Sequence, residues 1–286
     1  MVNSDGSNTP ERLTRRRHVL VFDSGMGGLT VAREIQALAP DLRVSYAADS
    51  GFFPYGDKPD DALKARIVSV AEALCASVQP DIFVIACNTA STLALADVRA
   101  RLTVPVVGTV PAIKPAAEKT MTGVIGLLAT PGTLRRPYTA NLIATYASAV
   151  EVVAHGSVDL VHLAERQAAG EAMALAAFRE AQAALYQAPR GGDIDHVVLA
   201  CTHFPLVRGE LAATVPHPVT FIDSGEAIAR QTLRVSAQIE VGETGDASGE
   251  VWLTSPPDGH GRLVEVCRRF GFHRVHQLPK TAHLAS

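Results

Sequence analysis

The sequence predicts an α/β fold made of two similarly built α/β units with largely parallel sheets. Three observations carry that expectation. Short β-branched runs alternate with apolar-periodic segments, the pattern of buried parallel strands covered by helices. The alternation runs through the first part of the chain and resumes as a second series. Each series also contains a strand running into alanine, cysteine and small polar residues: "VIACNTAS" at 84–91 and "VLACTHFP" at 198–205.

In the first series the strand candidates are "HVLVFD" (18–23), "RVSYAAD" (43–49), "DIFVIAC" (81–87) and "VPVVGT" (104–109). "GTVPAIK" (108–114) follows, and its proline disfavours a helical residue before it, so this stretch reads as a crossover between units. The second series is "GVIGLLAT" (123–130), "AVEVVAH" (149–155), "HVVLAC" (196–201) and "VTFID" (219–223). Alanine-rich segments at 134–148 and 160–188 separate them, which predicts a smaller sheet heavier in helix. "RGGD" at 190–193 reads as an exposed turn. "EVWLTS" (250–255) and "GRLVEVCRRFGF" (261–272) read as a strand and a helix that return to the first unit, with a second crossing at 223–224. The expected domains are therefore 18–110 completed by 223–286, and 111–222. A second repetition, "VFDSGMGG" (21–28) against "FIDSGEAI" (221–228), also suggests two halves whose strand ends face each other.

A chain of 286 residues can bury a substantial core without staples. With 26 basic and 29 acidic side chains, the formal charge of -3 lacks the broad positive field of a dedicated nucleic-acid binder, while a small anionic ligand remains allowed. The cysteines at 75, 87, 201 and 267 are not closely paired and read as free thiols in a reducing compartment. No long apolar run follows Arg15, Arg16 and Arg17, so the expectation is a cytoplasmic protein without a membrane span, with 1–17 as a flexible, solvated extension.

Strand C-terminal ends in open α/β sheets are where helix N-termini converge on a ligand, and Cys87 and Cys201 both fall there. Asn88, Thr89 and Ser91 follow the first, and Thr202 and His203 the second, all able to hydrogen-bond a carboxylate or cap a helix. A helix N-terminus also favours thiolate over thiol; the alternative is two inert core cysteines. Asp23, with Ser24 and the glycines of "DSGMGG", brings backbone amides toward an anion or simply caps the next helix. His203 suits a base beside Cys201, or a zinc ligand with Asp23, for which no motif supplies the remaining ligands; no metal is expected. In "PYGDK" (54–58), Tyr55 and the Gly56 amide suit a carboxylate, with Lys58 a more distant charge, and a plain polar turn is the alternative. Cys75, Cys267 and Lys114 read as ordinary packing or surface residues. Two opposed cysteines permit what one does not: a thiolate takes a proton from a stereocentre while a thiol returns one to the opposite face, with no redox cofactor.

The stretches "VFDSGMGGLTV", "PYGDK", "ACNTAS", "GTVPAIKPA", "LLATPGT" and "LACTHFPLV", in this order between Val19 and Arg230, resemble the cofactor-independent aspartate/glutamate racemase family. The resemblance implies two pseudo-symmetric α/β domains with an interdomain active site, interconversion of L- and D-glutamate, supply of D-glutamate to peptidoglycan, and a homodimer. It implies Cys87 and Cys201 as the acid/base thiols, with Asp23 assisting near the first and His203 near the second. It assigns Ser24, Tyr55, Gly56, Asn88, Thr89, Thr130, Thr133 and Thr202 to the carboxylates and ammonium of the substrate, with Glu165 at an acidic position. The sequence departs from the family's pattern at His155-Gly156, where Cys-Pro is common, at His162, and at Arg135, Arg136 and Pro137. An extra arginine there pairs with a carboxylate or faces solvent, and the reading favours solvent. Racemisation of aspartate or another amino acid, single-thiol chemistry, and non-catalytic amino-acid binding remain as alternatives.

Overall fold

The structure, a computed structural model, describes residues 16–239 and 249–279; residues 1–15 of the expected extension lie outside the described residues. From the basic run, the Arg17 Nε donates to the Ile239 carbonyl at 2.9 Å.

The first sheet is parallel throughout, in the order β10-β9-β2-β1-β3-β4. Its strands are β1 (His18–Asp23), β2 (Arg43–Ala48), β3 (Ile82–Ile85), β4 (Val106–Gly108), β9 (Glu250–Leu253) and β10 (Arg274–Gln277). β1 is buried along its whole length because helices cover both faces, and its side chains alternate between two cores. Val19 and Val21 join the core with α1 (Leu29–Leu38), α10 (Gly225–Ser236) and α11 (Gly261–Arg269). Leu20 and Phe22 join the opposite core with α2 (Asp60–Val78) and α3 (Asn88–Arg101). α2 opens with Asp60 and Asp61, which suit the positive end of the helix dipole, and closes at Gln79 in the left-handed region (φ 50°).

The second sheet is also parallel, in the order β6-β5-β7-β8, from β5 (Val124–Ala129), β6 (Glu151–Gly156), β7 (His196–Ala200) and β8 (Thr220–Ile222). One face packs on α7 (Asp159–Ala168), α8 (Leu175–Gln187) and α9 (Arg208–Ala212). The other packs on α4 (Ile113–Lys119) and α6 (Pro137–Tyr146), with the short α5 (Pro131–Arg135) between β5 and α6.

The strand order β2-β1-β3-β4 repeats as β6-β5-β7-β8, so β3 and β7 occupy equivalent places beside the central strand. The repetition of "VFDSGMGG" as "FIDSGEAI" does not express this symmetry, because β1 and β8 are not equivalent strands. What the two stretches share is a local turn: Asp23 Oδ1 accepts from the Gly25 amide at 2.9 Å, and Asp223 Oδ1 from the Gly225 amide at 2.8 Å.

The chain passes between the sheets at 109–112 and returns at 223–224. The crossings touch, since Ser224 Oγ donates to the Val110 carbonyl at 2.6 Å. β9 then pairs with β2, and β10 extends the same edge.

Candidate active site

Parallel strands deliver the residues that follow them to one edge of the sheet, and here the C-terminal edges of both sheets meet around a single small cavity. Ser24, Tyr55, Gly56, Cys87, Asn88 and Thr89 reach it from the first sheet's loops, and Thr130, Cys201, Thr202 and His203 from the second. Phe53, Pro54, Val158 and Val161 complete the lining. The volume is about 20 Å³, room for roughly one water molecule.

Cys87 is the residue before α3, so its thiol sits among that helix's unpaired amides. Burial and then the charge of Asp23 push the thiol up to about 12, while the Ala90 amide and the Ser24 hydroxyl, 3.9 Å from Sγ, pull it down. The Cys201 Sγ lies 3.8 Å from His203 Nδ1, and His203 Nε2 lies 3.0 Å from Glu165 Oε1. Burial disfavours charge on His203, but its hydrogen bonds to Cys201 and Glu165 outweigh burial and hold the imidazole well above its usual value.

Asp23 and Thr133 are fully buried just behind the lining. Asp23 accepts from the Gly25 amide and, across the cleft, from the Thr202 hydroxyl at 2.8 Å. Burial raises its carboxyl above the usual range, opposed by the charge of His203. Glu165, on α7, likewise reaches across the cleft and accepts from the Met26 amide at 3.3 Å. The glycines of "DSGMGG" make these approaches possible: a Cβ at Gly25 would stand 2.5 Å from Glu165 Oε1, and one at Gly27 2.5 Å from Thr202 Oγ1. The anion received by this stretch is thus a carboxylate of the protein itself.

Three hydroxyls close the other side. Thr89 and Thr130 are 3.1 Å apart, Thr89 and Thr133 3.3 Å, and Thr130 and Thr133 3.0 Å. Asn88 Oδ1 is buried at the cavity without a hydrogen-bond partner among the described residues, an acceptor left for a ligand.

Residues 29–232 match the family described as Asp/Glu/Hydantoin racemase. The chain belongs to the Asp/Glu/hydantoin racemase family. It is 42% identical to the glutamate racemase of Pectobacterium carotovorum over 270 residues, covering 94% of each chain. The crystal structure of Escherichia coli glutamate racemase with L-glutamate and the activator UDP-MurNAc-ala is similar at a TM-score of 0.86 and 40% identity, covering 92% of this chain and 98% of that one. The Thermus thermophilus glutamate racemase, in complex with beta-chloro-D-alanine, is similar at 0.71 and 29% identity, covering 92% and 96%.

Within this member of the racemase family, several expected residues also have partners inside the protein. Tyr55 lines the cavity, and its hydroxyl donates to Asp49 Oδ2 at 2.7 Å. Lys58 pairs with the neighbouring Asp57. His155 lies 3.1 Å from the Ala181 carbonyl and, with His162, lines a separate open groove of about 560 Å³ beside α7. His162 also meets the edge of Phe53, whose ring stands tilted against His203 with centroids 5.7 Å apart. Arg135 is exposed, but Arg136 corrects the solvent-facing reading: it is buried and paired with Asp60. Cys75 and Cys267 sit in α2 and α11 with their thiols pushed up to about 12 by burial, as packing residues would be.

Asp49 is a further buried residue beside the site, one that no sequence motif assigned to it. This buried carboxylate receives two bonds from Arg66, at 3.0 and 2.7 Å, and others from Thr254 and Tyr55. Its signal was available, since "ADSG" ends β2 much as "FDSG" ends β1. It ties the loop carrying Tyr55 and Gly56 to the strand that returns late in the chain. Among the described residues, no cluster of three or more His, Cys, Asp or Glu side chains is arranged to hold a metal, and no helix is long and apolar enough to cross a membrane.

Proposed function

We propose that this protein interconverts L- and D-glutamate without a cofactor by moving the α-proton between two thiols. One observation carries the reading: Cys87 and Cys201 follow equivalent strands of two sheets and line one cavity between them. Glutamate is the substrate that the relatives' names support.

Proton transfer needs one cysteine ionised and the other protonated. Burial keeps Cys87 a thiol, whereas the protonated His203 beside Cys201 is placed to stabilise a thiolate there. The Cys201 thiolate takes the α-proton, and the electron pair of the C–H bond spreads into the carboxylate. The Cys87 thiol then donates its proton to the opposite face. One S–H and one C–H bond form and one of each breaks, so the products are the enantiomer and a site with exchanged protonation.

An α-proton next to a carboxylate is far less acidic than a thiol, so donors must stabilise the charge that develops. The amides of the first turn of α3, the Asn88 carboxamide and the Thr89 hydroxyl surround the place where it forms. Domain 111–222 is the unit that closes against 18–110 and 223–286, shutting out water. We read the biological role as supply of D-glutamate to peptidoglycan from a cytoplasmic homodimer; the muramoyl group named for the E. coli protein's activator supports the cell-wall assignment.

The test is circular dichroism of metal-free protein with L-glutamate, D-glutamate, L-aspartate and D-aspartate supplied separately. Convergence of both glutamate samples to zero ellipticity, with slower change for aspartate, is expected. Faster racemisation of aspartate would reassign the substrate, and optical stability of all four samples would overturn the enzyme reading.

A further inference from the structure

Arg136 joins α5 to α6, and its side chain is buried at 3% exposure. It reaches from the second sheet's layer to two helices of the first. Nη1 donates to the Thr89 carbonyl at 2.7 Å and to Thr92 Oγ1 at 3.1 Å, and Nη2 to Asp60 Oδ1 at 2.9 Å. Nε has no partner among the described residues.

These bonds bear on the cavity through Thr89. Its hydroxyl meets Thr130 and Thr133, and its carbonyl meets Arg136, so residues 130–136 grip it at both ends. The same segment touches the Tyr55 loop: a Cβ at Gly132 would stand 3.1 Å from the Gly56 carbonyl. A buried guanidinium is costly unless its donors are paired, and here the acceptors for both Nη atoms come from the facing sheet's helices. The contact is therefore complete only while the two halves are together.

We propose that Arg136 is a positioning residue, an interdomain latch that holds the first turn of α3, with Asn88 and Thr89, against the closed cavity. Its kinetic consequence rests on the glutamate racemase reading. Its structural consequence does not.

The test compares wild type with Arg136→Ala, Arg136→Lys and Arg135→Ala. Hydrogen–deuterium exchange of the free proteins comes first. Arg136→Ala is expected to raise exchange in peptides spanning 86–95 while leaving those of β5 and β7 at wild-type protection; Arg135→Ala changes neither. If Arg136→Ala does not fold, Arg136→Lys, which keeps the charge in place, gives a smaller change at the same peptides. Unchanged exchange at 86–95, or a uniform rise across both sheets, would overturn the latch even if glutamate is not the substrate. Kinetics follow: Arg136→Ala raises KM for glutamate by about tenfold with kcat much less affected, and lysine restores part of the loss. An equal loss in kcat with KM unchanged contradicts the latch.

Discussion

At the scale of single residues, Asp23 shows stability given up at the cavity. Its carboxyl is raised by burial, so the native protein binds this proton more tightly than the unfolded chain does. That preference stabilises at acid pH and is lost as pH rises through the raised value. Asp23→Asn, which has no proton to lose, is therefore expected to flatten the fall of Tm with rising pH while lowering racemisation, measured by thermal denaturation and circular dichroism on one preparation. The same sign applies to Cys75, Cys87 and Cys267, whose thiols are pushed up to about 12. Between about 9 and 12 the unfolded chain loses these protons before the native one, so stability falls as pH rises. The urea midpoint should drop from pH 8 to pH 10, less steeply in Cys75→Ala/Cys267→Ala. Cys87, Cys201 and His203 were legible in the sequence because a strand end followed by small polar residues is a local pattern. Arg136 was not legible, because its burial depends on Thr89 and Asp60 arriving from another part of the fold.

Elements carry the geometry through close approach more than through propensity. The stretch from Asp23 to α1 stays close to α7 and the turn after β7 only because Gly25 and Gly27 lack side chains. At Gly27 a methyl group would meet the Thr202 hydroxyl at 2.5 Å and the His203 backbone nitrogen at 2.7 Å. Gly27→Ala is expected to cost about 1–3 kcal/mol in urea unfolding and to lower kcat/KM, because the two sheet edges must separate. Nine of the ten strands among the described residues were legible, since apolar, β-branched runs mark a strand whether it is buried throughout, as β1, or partly exposed, as β6. β10 was missed because "RVHQ" is an edge strand, partly exposed and without an apolar run. The strand-order repeat was partly legible: the cysteine stretches mark it, whereas the "DSG" stretches share only an Asp-to-Gly turn.

At the scale of the whole molecule, two sheets of matching order set their switch points against each other. The residues at or just after the ends of β1, β3, β5 and β7 converge there, with Cys87, Thr130 and Cys201 on the cavity and Asp23 just behind it. The cavity of about 20 Å³ is too small for glutamate as it stands, so the proposed function entails that the halves part for binding and release. That motion is expected at the adjoining crossings, 109–112 and 223–224, which are linked from Ser224 to Val110. Pairing of the thiols across the cleft is the central claim. Proton NMR in heavy water, run on L- and D-glutamate with wild type, Cys87→Ser and Cys201→Ser, tests it most directly. The account expects wild type to erase the α-proton signal from both enantiomers as they converge on the racemate, and each serine variant to racemise about 10²–10⁴-fold more slowly. Racemisation by either serine variant at near the wild-type rate would contradict it.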